Sequence, residues 1–109
     1  MKIDIEYSRD EYLTESGKTI LKDRYLLPTE ASPQDAFARA AKTFADDQAH
    51  AQRLYDYASK LWFMFSTPVL SNGGTTRGLP ISCFLNYVDD SREGLADHYT
   101  ENIWLSSMG

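Results

Sequence analysis

The strongest constraint on this chain is a pair of apolar stripes at a 3.6-residue period between Phe37 and Phe65, opened by a clear helix-start signal. Ser32 can cap a helix, and Pro33 suits the first helical position, where the N–H it lacks would be unpaired anyway. Asp35 stands three residues after Ser32, the spacing of a capping box. The helix that follows carries Phe37, Ala40, Ala41 and Phe44 on one face. A second helix begins near Asp46 or Asp47, with Ala51, Leu54, Tyr55, Ala58, Leu61, Trp62 and Phe65 as its stripe. Two amphipathic helices joined by a short connection predict a helical hairpin over residues 32–65, with the aromatic stripe read as core packing.

The flanks are less regular. Residues 1–31 read as short extended pieces and turns: Glu15-Ser16-Gly17 is a turn signal, and Pro28 discourages helix at Leu27. Downstream, Ser66-Thr67-Pro68 ends the second helix, and residues 66–109 read as loop, strand and helix. The loop Ser71–Gly78 holds three glycines, several hydroxyls and Arg77. Such a loop lets backbone N–H groups approach an anion. It lacks the P-loop pattern, so a plain turn and a phosphate or substrate loop both stay open. Ile81–Val88 is rich in β-branched and aromatic residues and reads as a strand. Asp89-Asp90-Ser91 closes it and can cap a last helix that places Leu95, Tyr99 and Ile103 at i, i+4 spacing.

Composition narrows the function classes. A chain of 109 residues makes one small domain. Its net charge is -5 with scattered basic residues, which argues against direct nucleic-acid binding and leaves phosphate recognition to a local site. The longest apolar run, Leu61–Phe65, is far too short to span a bilayer, and the charged and apolar alternation of Met1–Glu6 is unlike a signal peptide. Cytoplasm is therefore the expected compartment. Cys83 is the sole cysteine, so no internal disulfide is possible, and its two readings are a small buried apolar residue or a reactive thiol. His50 and His98 fit no metal-ligand spacing, and no metal site is assigned.

The segment Phe65-Ser66-Thr67-Pro68, the glycine and hydroxyl loop, and Ile81-Ser82-Cys83 resemble the first active-site segment of ribonucleotide reductase large subunits. Thr67 and Cys83 are sixteen residues apart, as in class I members, and Asp90-Ser91 follows seven residues after the cysteine, also as in the family. The last helix resembles the stretch leading into that family's glycine-rich segment. The likeness is close over residues 65–109, looser over 25–61, and slight over 1–24. Ser-Thr-Pro alone is weak; the three motifs at these spacings are together specific.

The resemblance implies an α/β fold: an α-rich N-terminal fragment of a ten-stranded α/β barrel, completed by other chains. The family's radical-bearing cysteine, its second redox cysteine and its C-terminal cysteine pair have no counterpart here, and the N-terminal part is too short for an ATP-cone. A split large subunit and a truncated chain both fit this departure. Implied roles are a redox-active thiol for Cys83, substrate contacts for Thr67, Ser82 and Cys83, and a deoxynucleoside triphosphate effector site at Asp90 and Ser91. Arg77 has no matching family role. Implied partners are the remaining fragments of the large subunit, a radical-generating small subunit, a ribonucleotide substrate, a dNTP effector, and a reductant of thioredoxin or glutaredoxin type. No cofactor is expected on this chain. The radical source would be a separate di-metal subunit, or adenosylcobalamin in a class II enzyme. A non-catalytic helical binding module is the rival outside the family, and it would bury Cys83 as an inert thiol.

Overall fold

In the computed structural model, which describes residues 1–108, Ser32 caps α2 (Pro33–Phe44) through a full capping box. Its hydroxyl accepts from the Gln34 N–H at 3.1 Å, and the Asp35 carboxylate accepts from the Ser32 N–H at 3.1 Å. The next helix, α3 (Gln48–Ser59), is capped by Asp47, which accepts from the His50 N–H at 2.8 Å. Ala36, Ala40 and Ala41 of α2 and Ala51 of α3 are fully buried, so small side chains bring the two backbones close, with Phe37 and Tyr55 filling the space beside them. The predicted helical pair thus forms, although Phe44 is largely exposed.

The second helix stops at Ser59, short of the predicted end at Phe65. The cause is a Schellman turn. The Trp62 N–H bonds the Tyr57 carbonyl at 2.9 Å and the Leu61 N–H bonds the Ala58 carbonyl at 3.0 Å, while Leu61 sits at φ 62°. Stacking of Tyr57 on Trp62, 5.1 Å between ring centroids, closes the motif. Leu61 and Trp62 are consequently exposed and not part of the core stripe.

Three further predictions need correction. Glu15-Ser16-Gly17 is the first turn of a helix, α1 (Glu15–Arg24), because the Thr14 hydroxyl caps the Gly17 N–H at 3.0 Å. Ahead of it lies a 3-10 helix, Tyr7–Tyr12. Ser66-Thr67-Pro68 opens a short helix, α4 (Thr67–Asn72), with Pro68 in its first turn. Ile81–Val88 forms no strand: it has no regular secondary structure, is largely exposed, and has no ladder partner among the described residues. A last helix, α5 (Arg92–Met108), follows it. The elements of the described chain are therefore all helical, which agrees with the expected α-rich fragment, and the expected strand is absent here because a strand exists only when another backbone pairs with it.

Residues 2–6 run extended along α3 and are held by its side chains. The N–H groups of Lys2, Asp4 and Glu6 donate to Gln48 Oε1 at 3.0 Å, Gln52 Oε1 at 2.9 Å and the Tyr55 hydroxyl at 2.9 Å. Two residues of extended chain advance about as far as one helical turn, so an i, i+4, i+7 row can serve alternate N–H groups. Ile3, between the bonded residues, points into the core. The Tyr55 hydroxyl donates onward to Gln34 Oε1 at 2.8 Å, and Gln34 Nε2 to Asp10 Oδ1 at 2.9 Å, which ties the 3-10 helix to α2. Burial pushes the Tyr55 phenol above its ordinary value of 10.0, with the bond from the Glu6 N–H and the nearby Arg9 guanidinium opposing that shift.

A second polar hub is Arg39, on the α2 face turned from α3. Its guanidinium clasps Glu30 through Nε at 3.0 Å and Nη2 at 3.3 Å, and donates to the carbonyls of Gly73 at 2.7 Å and Tyr25 at 3.2 Å. Both partners of the ion pair are about nine-tenths buried. Arg39 thus fixes the end of α4 against α1 and α2.

Two measurements test these assignments. Leu61→Gly relieves a left-handed leucine and should raise stability by about 0.5–1 kcal/mol, seen as a higher urea midpoint; a lower midpoint contradicts the strain. Arg39→Met strands the Glu30 carboxylate and should cost about 3–5 kcal/mol, with a large part recovered by adding Glu30→Gln; equal loss in both variants contradicts the pairing.

Candidate functional site

The residues singled out in the sequence lie in two places. Thr67 opens α4, with its hydroxyl 3.1 Å from the Tyr25 hydroxyl. It lines a groove of about 240 Å³ whose walls include Leu13, Ile20, Tyr25, Phe65 and Leu70. This groove lies between α1 and α4 because Leu21 and Leu70 enter the core and pull the two helices together.

Ser82 and Cys83 are exposed, on the irregular segment after the glycine loop. The Cys83 thiol is free, 4.0 Å from the Ser82 hydroxyl. Ser82 and Phe84 face Asn102, Leu105 and Ser106 of α5 across a shallow depression. Thr67 and Ser82 therefore line different depressions.

The loop between them is shaped by glycine. Gly74 has φ 73°, and a Cβ on Gly73 would meet the Val69 carbonyl at 2.4 Å. Arg77 donates to the Ser71 carbonyl and so turns onto its own loop. Ser91 caps α5, accepting from the Gly94 N–H at 2.9 Å. Asp90, immediately before it, is exposed. The two roles read for Ser91, cap and effector contact, fall on one hydroxyl whose lone pair already serves the helix.

Sequence reasoning passed over Arg39, whose bond to the Gly73 carbonyl anchors the loop behind Thr67. The available signal was a long cation among small residues, Ala38-Arg39-Ala40-Ala41, in an otherwise core-facing helix. It also passed over Asn86. That side chain reaches from the Cys83 segment to α5, with Nδ2 3.2 Å from Glu101 Oε2, 3.3 Å from Asn102 Oδ1 and 3.3 Å from His98 Nδ1. Asparagine in a run read as a strand carries little signal.

Among the described residues, no three or more His, Cys, Asp or Glu side chains are grouped to hold a metal ion, so they do not fit a metal centre. No helix is long and apolar enough to cross a membrane. The Cys83 segment and α5 both show apolar side chains to solvent: Leu85, Tyr87, Tyr99, Ile103 and Trp104 are all strongly exposed.

Comparison with known proteins gives this geometry a family. Residues 11–78 match the family model described as "Ribonucleotide reductase, all-alpha domain". The chain is 45% identical over 105 residues to the ribonucleoside-diphosphate reductase large subunit of Invertebrate iridescent virus 6, covering 96% of this chain and 11% of that protein. It is 47% identical over 108 residues to the large subunit of Invertebrate iridescent virus 3, covering 98% of this chain and 17% of the relative. The alpha subunit of Helicobacter pylori is 32% identical over 125 aligned residues, covering 99% of this chain and 16% of the relative. The chain thus spans less than a fifth of the length of these relatives. An all-helical body capped and packed as described, matched over most of its length, identifies the chain as a member of the ribonucleotide reductase large-subunit family, corresponding to its N-terminal all-alpha region.

Proposed function

We propose that this chain serves as part of a ribonucleoside-diphosphate reductase, supplying one of the two thiols that reduce the ribose. The observation that carries this reading is the exposure of Cys83. A binding module would hold its one cysteine as an inert packing residue, whereas a thiol that reacts with a substrate must be reached by it.

In this reading the family's chemistry begins when a thiyl radical on a cysteine outside this chain takes the 3′ hydrogen atom, which that thiol returns at the end of the turnover. Two thiols then give up two electrons and two protons as they join in a disulfide. The 2′ C–O bond breaks, its oxygen leaves as water, and a hydrogen takes its place. Cys83 is one of those thiols, and its partner lies on another part of the large subunit. Ser82 and Thr67 supply hydroxyls to the substrate, since hydroxyls can donate to phosphate oxygens or ribose hydroxyls. The two depressions they line would have to face a common substrate once the remaining fragments complete the barrel.

The sixteen-residue spacing from Thr67 to Cys83 favours class I, with the radical held on a separate di-metal subunit, over a class II enzyme using adenosylcobalamin. A dithiol protein of thioredoxin or glutaredoxin type would restore the thiols, in the cytoplasm. Asp90 would accept from a sugar hydroxyl of a dNTP effector, because a carboxylate repels phosphate. Ser91, at the start of α5, would stand beside it.

In the assembled reductase, Cys83→Ser should abolish sustained deoxynucleotide formation while co-purification with the other chains persists. Wild-type enzyme after one turnover without reductant should show Cys83 in a disulfide with a cysteine of another chain, read by mass spectrometry. Full multi-turnover activity of Cys83→Ser would return Cys83 to a packing role. Asp90→Ala should leave basal reduction measurable and flatten the dependence of substrate choice on dNTP; an unaltered dependence removes Asp90 from the effector site.

A further inference from the structure

Thr67 and Tyr25 are far apart in sequence, yet their hydroxyls stand 3.1 Å apart. Both side chains line the groove between α1 and α4, beside Leu13, Ile20, Phe65 and Leu70. Their backbones share one anchor. Tyr25 ends α1, its N–H bonding the Leu21 carbonyl at 2.9 Å, and its own carbonyl accepts from Arg39 Nη2 at 3.2 Å. The same guanidinium donates at 2.7 Å to the carbonyl of Gly73, which closes the helix that Thr67 opens. Buried Leu70 holds that helix to the core, and the Tyr25 ring packs against the same cluster. The two hydroxyls meet because two fixed backbones bring them together.

The Thr67 hydroxyl differs from other threonine hydroxyls of the chain in what it bonds. Those of Thr19, Thr43 and Thr100 donate to the carbonyl four residues back in their own helices, which uses their single proton. Thr67 is the first residue of α4, so no turn of that helix lies behind it to take its proton. A threonine hydroxyl offers one donor and two lone pairs, and a phenol is the stronger donor of the two groups. With Tyr25 donating, one lone pair of Thr67 is used and its proton stays free. With Thr67 donating, no proton is left for a substrate. Phosphate oxygens only accept, so a Thr67 that contacts one must accept from Tyr25.

We propose that Tyr25 is a positioning residue: its phenol donates to Thr67 Oγ1 and fixes the rotamer and proton direction with which Thr67 meets an acceptor oxygen of the substrate. Tyr25 itself would not touch substrate. This rests on the reading of Thr67 as a substrate contact. The donated bond polarises the Thr67 O–H, and hydrogen bonds in such a chain strengthen one another. A threonine in a helix has two open rotamers about its Cα–Cβ bond, so a partner outside the helix is needed to select one. The contact is made to bound substrate and to the reacting complex alike, so its loss should appear in KM and leave kcat nearly unchanged.

Substitutions in the assembled reductase test this. Tyr25→Phe keeps the ring and its packing and removes only the hydroxyl. It should raise KM for a ribonucleoside diphosphate about 3–10-fold, with kcat nearly unchanged and co-purification with the other chains intact. Thr67→Val removes the hydroxyl that Tyr25 serves and should raise KM on the order of 10–100-fold, since a bond to a charged oxygen is lost. Thr67→Ser keeps the hydroxyl and should recover most of that loss. Tyr25→Phe combined with Thr67→Val should be no worse than Thr67→Val alone, because Tyr25 acts only through that hydroxyl. A merely structural role for Tyr25 makes the two losses multiply. Multiplied losses, or a wild-type KM in Tyr25→Phe while Thr67→Val is impaired, would overturn the proposal. A wild-type KM in Thr67→Val would instead remove the reading of Thr67 as a substrate contact, and the proposal with it.

Discussion

One guanidinium, that of Arg39, joins four parts of this chain by polar bonds beside the core that Leu21, Phe37 and Leu70 share. It bonds the end of α1 through the Tyr25 carbonyl, the loop before α2 through Glu30, and the end of α4 through the Gly73 carbonyl, while its own backbone belongs to α2. A buried cation is tolerated only when it is paired and its donors are satisfied, and this one meets both conditions. The fork geometry of arginine makes the arrangement possible, because a lysine ammonium has no planar set of donors to spread over a carboxylate and two carbonyls. Thr67 and the glycine loop depend on it, since α4 is only six residues long and could not hold its place by its own hydrogen bonds.

The chain divides at that point. Every fully buried apolar side chain among the described residues lies between Ile3 and Leu70, whereas α5 buries none. The N-terminal part is closed on itself by the alanine contact of α2 with α3, the row of α3 side chains that receives residues 2–6, and the Tyr55–Gln34–Asp10 chain of hydrogen bonds. The C-terminal part shows apolar and aromatic side chains to solvent along both the Cys83 segment and α5. This asymmetry follows the family match: the buried part falls largely within residues 11–78, which match the all-alpha domain, and the exposed apolar part follows it.

Local signals were read correctly where the physics is local. The Ser32–Asp35 capping box and Asp47 cap are satisfied within three residues of chain, so the starts of α2 and α3 were legible from residue types alone. The end of α3 was not. A leucine at φ 62° is disfavoured by its own backbone, and only the paired bonds to Tyr57 and Ala58 with the Tyr57–Trp62 stack make it stable. Gly17 looked like a turn because its N-cap partner, Thr14, has no acidic residue in the usual third position to announce the helix. The expected strand at residues 81–88 has strand-like residues, but pairing is a property of two segments, and one segment cannot encode it.

By itself, the sequence determined the helical pair, its caps, the solitary cysteine, and the spacing of Thr67, Ser82, Cys83 and Asp90 that led to the reductase family. These are properties of residue type and separation, which survive any arrangement in space. Tertiary structure alone decided that Arg39 and Glu30 meet behind the glycine loop, that α3 side chains receive the first residues of the chain, and that the Asn72 and Asn86 amides reach Leu79 and Glu101. Each of those contacts joins residues brought together by packing, and a hydrogen bond or ion pair of that kind depends on distances that no local rule supplies.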